Sequence, residues 1–319
     1  MKFLSNIVGI HNLLLTLITE IVFKNCIMYT KCQRKIILKF INNNEGDLFI
    51  DEKVLNDPLD SQIQIEIDYA GINRADILQR KGLYPPPKGE SEIIGLECSG
   101  KVSKLGRLVK KFSLGDHVCA ILAGGGYAEF VNVDEKQVMP LPSNLNSLEA
   151  GGLPETTLTV LSLIHISSNF QKDESILIHG GSSGIGTTAI SILKNYTKNL
   201  YVTAGTNQKC KSCIELGATE AINYKDLDFE EYFNEKKLKV DVILDMVGGE
   251  YLKKNLKILN FKGRLTYIAA LGGIKGEANL LHIMNKQLKI SGSTLRSRTP
   301  LEKGIIVDQV QKEIWPLIE

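Results

Sequence analysis

The chain has 319 residues, 43% of them apolar and 23% charged, a balance that leaves room for two cored domains and excludes disorder. Lys and Arg number 38 against 36 Asp and Glu, a net charge of +2, so no global field selects nucleic acid or an anionic membrane, and a small molecule is the expected partner. Cys26, Cys32, Cys98, Cys119, Cys210 and Cys213 are scattered through a chain too long to need staples, which points to a reduced, intracellular setting.

Residues 1–27 are apolar but broken by Asn6, His11, Asn12, Thr16 and Glu20, too polar for a membrane span and without a small-residue cleavage site. They read as a weak targeting segment, mitochondrial if genuine, or as an extension ahead of Met28. Residues 28–150 are expected to form a β-rich domain, with strands at 35–40, at 63–67 with period-two alternation, and at 116–122 leading into Gly124, Gly125 and Gly126. A helical connection over 151–170 opens a second domain that runs to residue 319.

From Ser175 the pattern alternates strand and helix. Near-continuous apolar runs at 175–179, 199–204, 221–223, 240–246, 264–270 and 289–293 read as strands buried on both faces, with helical patterns between them, for instance at 185–194 and 251–259. The prediction is an α/β protein whose second domain is a doubly wound parallel sheet of Rossmann type. Cys210 and Cys213 fall three residues apart on a helical stretch with no second ligand pair, and read as plain helix residues.

The first of these strands runs into His179-Gly180-Gly181-Ser182-Ser183-Gly184-Ile185-Gly186 and then a helix. Glycines let the backbone approach a pyrophosphate, and a helix start offers it free amides and a positive dipole end. Gly181, Ser183, Gly184, Ile185 and Gly186 are therefore candidate cofactor contacts, a tight turn without ligand being the alternative. His179, ending a buried strand, reads as a satisfied structural histidine. An NAD-selective site places an acid about 20 residues beyond the loop. The stretch Thr203-Ala204-Gly205-Thr206-Asn207-Gln208-Lys209 has none, while Thr206 and Lys209 can meet a 2′-phosphate over which Tyr224 closes. NADPH is the expected cofactor, with Gly205 in place of the acid; a solvated lysine and a packed tyrosine are the alternative.

The run Gly71-Ile72-Asn73-Arg74-Ala75-Asp76, with Tyr84-Pro85-Pro86-Pro87 and Ile94-Gly95-Leu96-Glu97, resembles the quinone oxidoreductase (zeta-crystallin-like) branch of the medium-chain dehydrogenase/reductase superfamily. Similarity continues through Leu153-Pro154-Glu155, the glycine loop, Val202-Thr203-Ala204-Gly205 and Leu295-Arg296-Ser297-Arg298, over residues 31–319. The resemblance implies a GroES-like first domain. Zinc-dependent members hold the metal with Cys, His and Cys; the matching positions here are Asn73, Leu96 and Glu155, and the four-cysteine structural lobe is missing, so no metal is expected. Without a Lewis acid, the implied reaction is hydride delivery from NADPH to a quinone or similar conjugated carbonyl. By the same resemblance Asn73 and Tyr84 line the acceptor pocket, Thr159 contacts the nicotinamide, and Val247, Gly248, Ala270, Leu271 and Leu295 complete the cofactor site. The expected form is a cytoplasmic homodimer with no nucleic-acid or membrane partner. Family members run on beyond the match to Glu319 into a helix and a strand that rejoins the first domain, so this return segment is expected to be missing. Enal or enoyl reduction by the same machinery, or non-catalytic NADPH binding of the crystallin kind, are the other readings.

Overall fold

The computed structural model describes residues 37–44 and 47–319. Segment 1–27, Cys26 and Cys32 lie outside them. Two compact units divide the chain, one running to Leu141 and taking in Leu145–Gly152, the other made of Pro142–Asn144 and Leu153–Glu319.

In the first unit β1 (Ile37–Asn44) and β2 (Asp47–Val54) pair as an antiparallel hairpin. Beyond it β3 (Gln62–Tyr69), β4 (Glu97–Leu105), β5 (His117–Ile121), β6 (Phe130–Asp134) and β7 (Val138–Pro140) form an antiparallel sheet in the order β6-β3-β4-β5-β7. The alternation that predicts β3 has a direct cause: Ile63, Ile65 and Ile67 share one face and pack with Val102, Val118, Val131 and Val133. Between β3 and β4 a helix interrupts this all-β pattern, α1 (Arg74–Arg80). Asp76 closes its first turn by accepting the Asn73 amide at 2.7 Å, and the Pro85-Pro86-Pro87 run lies just beyond it. Seven residues are too few to show a helical period, which is why the sequence reads here as strands and turns alone.

The second unit is a six-stranded parallel sheet, order β10-β9-β8-β11-β12-β13. Its strands are β8 (Ile176–His179), β9 (Leu200–Ala204), β10 (Glu220–Asn223), β11 (Val240–Asp245), β12 (Leu259–Tyr267) and β13 (Lys289–Gly292). The chain enters at β8, works outward to β10, and returns to β11 on the other side of β8, so strand order reverses between β8 and β11, the place where open α/β sheets take ligands at the strands' C-terminal ends. All six predicted strands are present. The largest boundary change is in β12, which starts at Leu259 instead of 264 and ends at Tyr267 instead of 270: Phe261-Lys262-Gly263 looks like a turn, yet the strand absorbs it as an irregularity with Lys262 at φ +61°.

The predicted connection over 151–170 contains α3 (Pro154–Leu161) and a π-helical turn (Ser162–Ser167), after a single turn α2 (Ser147–Ala150). Helices α4 (Gly184–Leu193), α5 (Asn207–Leu216), α6 (Phe229–Glu235), α7 (Tyr251–Ile258), α8 (Leu280–Lys286), α9 (Pro300–Glu313) and α10 (Trp315–Ile318) complete the unit. Cys210 and Cys213 are both buried on α5, as free thiols. Phe229 and Phe233 of α6 fill a core with Leu177, Ile243, Leu256 and Leu265. Phe233 is wholly inaccessible, so Phe233→Ala is expected to cost about 3–5 kcal/mol through lost burial and the cavity left behind. Urea unfolding followed by circular dichroism measures it; an unchanged midpoint would refute this account of the core. Among the described residues no helix is long and apolar enough to cross a membrane.

Candidate active site

In the second unit the candidate cofactor residues lie at the C-terminal end of a sheet strand, in the turn that follows, or in the first turn of the next helix. After β8 the loop is packed too closely for a side chain at Gly181 and at Gly186. A Cβ on Gly181 would stand 2.6 Å from Val202 Cβ, and one on Gly186 2.3 Å from the Gly180 carbonyl oxygen. Gly180, at φ +79°, needs a left-handed backbone, and its missing Cβ faces Met246 Sδ at 2.6 Å. Ser183, which stands where the fingerprint often has glycine, acts as the N-cap of α4, its Oγ accepting the Gly186 amide at 3.0 Å. The amides of Gly184 and Ile185 precede the first intrahelical bonds, and the first turn holds no acid. Donors and dipole are thus unopposed, and the loop fits a pyrophosphate.

At the end of β9, Gly205 lies against the Tyr224 ring: a Cβ there would meet the phenol oxygen at 2.5 Å. An acidic side chain at 205 would displace that ring. Thr206 caps α5, its Oγ1 accepting the Lys209 amide at 3.2 Å. This uses an acceptor lone pair and leaves the hydroxyl proton available. Thr206 and Lys209 are exposed, and Tyr224 is half-exposed at the end of β10.

The turns after β11 and β12 are joined to each other. Leu271 donates its amide to Met246 O at 3.1 Å and Gly272 to Val247 O at 2.7 Å, while Gly248, at φ +68°, bridges to Gly273. Val247, Gly248, Ala270 and Leu271 therefore form one patch. Beneath it sits Asp245, which sequence reading missed: its fully buried carboxylate accepts the Val247 amide at 2.6 Å and the Gly248 amide at 3.0 Å. Thr159 is buried on α3, which packs on α4, and Leu295 is buried after β13.

In the first unit the Asn73 side chain donates from Nδ2 to Glu97 Oε1 at 2.7 Å. Glu97 is almost wholly buried, and Gly71 is glycine because a Cβ there would fall 2.1 Å from that same oxygen. Asp76, also buried, accepts from the Asn73 amide, the Gly95 amide at 3.2 Å and the Tyr127 hydroxyl at 3.1 Å. Burial, reinforced by the neighbouring Asp76 charge, pushes the Tyr127 phenol above its ordinary range and keeps it a donor. Tyr84 follows α1 and is half-buried. Leu96, at the position that matches a zinc ligand, is buried and apolar, and Glu155 is half-buried on α3. Among the described residues no group of three or more His, Cys, Asp or Glu side chains is disposed to hold a metal.

Comparison with known proteins gives a consistent set of matches. Residues 59–143 match the alcohol dehydrogenase GroES-like domain, and residues 184–309 the zinc-binding dehydrogenase family. Quinone oxidoreductase 1 of Escherichia coli is 34% identical over 269 residues, covering 82% of this chain and 80% of its own. The mouse quinone oxidoreductase is 30% identical over 250 residues, 77% and 75% of the two chains. Among solved structures, E. coli quinone oxidoreductase complexed with NADPH superposes with a TM-score of 0.75 at 28% identity, over 89% of each chain.

Proposed function

Because this chain belongs to the quinone oxidoreductase branch of the medium-chain dehydrogenase/reductase superfamily and is an oxidoreductase, we propose that it uses NADPH to reduce a quinone or a similarly conjugated carbonyl without a metal. The observation that carries the reading is the 2′-position: Gly205 under the Tyr224 ring, no acid, and Thr206 and Lys209 presented to solvent. In this reading the residues from 151 onward form the cofactor domain and residues 28–150 the substrate domain. Gly181, Ser183, Gly184, Ile185 and Gly186 cradle the pyrophosphate. Thr206, Lys209 and Tyr224 hold the 2′-phosphate, Lys209 as the charge and Thr206 as the donor. Val247, Gly248, Ala270, Leu271, Leu295 and Thr159 orient the nicotinamide half, and bound NADPH supplies the hydride. Asn73 and Tyr84 donate to the acceptor oxygen as charge develops on it; one Asn73 Nδ2 hydrogen is engaged by Glu97, and the second is available. Leu96 offers a metal nothing to bind, which supports the metal-free assignment.

A cytoplasmic homodimer belongs to the same reading. Ile274, Leu280, Leu281 and Met284 are exposed apolar residues in the segment that leads to the edge strand β13, a surface suited to a second copy.

Dissociation constants for NADPH and NADH test the cofactor. NADPH is expected to bind about tenfold tighter, solvent screening of the exposed Lys209 limiting the gain, and Lys209→Glu should abolish the preference. Equal binding of both dinucleotides by the native chain would overturn the assignment. Steady-state rates with quinones and with enals then assign the acceptor: enal turnover alone would make the chain an enoyl-type reductase.

A further inference from the structure

Four side chains that share no local motif meet under the candidate cofactor loops. Thr203 is the last residue but one of β9, His179 ends β8, Asn255 lies on α7 and Asp245 ends β11, and each is at most 1% exposed. Polar groups buried so deeply cost stability unless paired, and these pair with one another. Asn255 Nδ2 donates to Asp245 Oδ2 at 2.9 Å, His179 Nε2 lies 2.8 Å from Asn255 Oδ1, and His179 Nδ1 lies 3.1 Å from Thr203 Oγ1. The carboxylate only accepts, so the Asn255 amide must point its nitrogen at Asp245 and its oxygen at His179. The histidine then carries its proton on Nε2 and receives the Thr203 hydroxyl proton at Nδ1. Every proton in the chain runs one way. Burial holds His179 below its ordinary value, in keeping with this neutral form, and Phe229 and Tyr251 pack edge-on against the ring at 4.7 and 4.8 Å, so it cannot turn. The histidine is structural, as the sequence suggests, but it is more than a satisfied core residue.

Both ends of this chain hold backbone of the candidate site. Thr203 accepts the Gly180 amide at its carbonyl (3.1 Å) and at Oγ1 (3.3 Å), and the Gly181 amide at its carbonyl (2.9 Å), where the glycine loop begins. Asp245 Oδ1 holds the Val247 and Gly248 amides, where the nicotinamide-side turn begins. We propose that Thr203, His179, Asn255 and Asp245 act as one positioning relay that sets the Val247 and Gly248 turn against the glycine loop, and so aligns both halves of the dinucleotide without touching it. The inference rests on the cofactor site proposed above and adds residues to it.

A relay of this kind makes a distinctive prediction, because the 2′-phosphate is held elsewhere. Thr203→Val keeps the shape and the strand but deletes the hydroxyl; NADPH and NADH should both weaken by the same factor, about tenfold, leaving their ratio unchanged, whereas Lys209→Glu changes the ratio. Thr203→Ser should restore binding. Asn255→Ala cuts the relay at another link, and serves also should Thr203→Val not fold. The double variant should lose little more than the worse single one, since a broken relay cannot be broken twice. In the unliganded protein, Thr203→Val should speed hydrogen exchange at the Val247 and Gly248 amides, three side chains away, where a merely local role would alter only Gly180 and Gly181. Native binding with wild-type affinities and unchanged Gly248 exchange in both variants would overturn the relay alone. A native chain that binds neither dinucleotide would remove the cofactor reading, and with it the alignment role, whatever the exchange shows.

Discussion

Gly186→Ala is expected to weaken NADPH binding by about 10- to 100-fold, the loss of one or two charge-assisted hydrogen bonds at the start of α4. The cause is backbone geometry. The new Cβ would fall 2.3 Å from the Gly180 carbonyl oxygen and 2.6 Å from Gly181 backbone atoms, and neither can rotate away as a flexible side chain would. Relief requires α4 to lift from the loop, which carries the Gly184 and Ile185 amides out of line; overpacking of this kind also costs about 1–3 kcal/mol of stability. Gly184→Ala is the companion measurement. Its Cβ meets only Thr156 Cγ2, at an ordinary 3.5 Å, so it should fold with native stability, and any weakening there comes from ligand contact instead of loop distortion. Calorimetric titration with NADPH, at a temperature where every variant is folded, reads both. Native affinity in Gly186→Ala would mean that the start of α4 does not carry the pyrophosphate.

Tyr84→Phe should lower kcat/KM for a quinone by about 100-fold if the site is dry, and by less if water replaces the lost donor, with NADPH affinity spared. Asn73→Ala should lower it similarly but is the less clean change. It also takes a donor from buried Glu97, whose oxygen lies 2.7 Å from the Asn73 amide nitrogen, and so is expected to lose about 1–3 kcal/mol of stability. Measuring turnover, NADPH binding and unfolding together separates these effects. Native turnover in both variants would reduce the two residues to shaping the cleft, and leave orientation of the nicotinamide to account for the rate.

What could be read from the chain itself was what depends on near neighbours. The period-two spacing of Ile63, Ile65 and Ile67 and the near-continuous apolar runs of β8 and β11 follow from which faces of a strand are buried, and burial leaves its mark on adjacent residues. The glycine loop is equally local, because a tight turn into a helix start needs residues without Cβ at fixed offsets. The absence of an acid after β9 is likewise a statement about seven consecutive residues. Boundaries read less well: α1 is shorter than two helical periods, and β12 passes through a turn-like Phe261-Lys262-Gly263 because β11 pairs with it on both sides of that stretch, Val240 with Leu259 and Val242 with Arg264.

Only the tertiary structure could assign partners across long separations. Asn73 and Glu97 are 24 residues apart, His179 and Thr203 24, and His179 and Asn255 76. Nothing in the local pattern around any of them announces the bond. Gly205 shows the two levels in one residue: its lack of an acid is legible in the sequence, but that the Tyr224 ring lies where its side chain would be is decided by β9 and β10 pairing in parallel, which brings the ends of the two strands together. Sequence determines which backbone each segment can adopt, because sterics and burial act on neighbours. Which polar groups must share a proton is decided only when the sheet has closed, because a hydrogen bond needs its two atoms within about 3 Å and the fold alone brings them there.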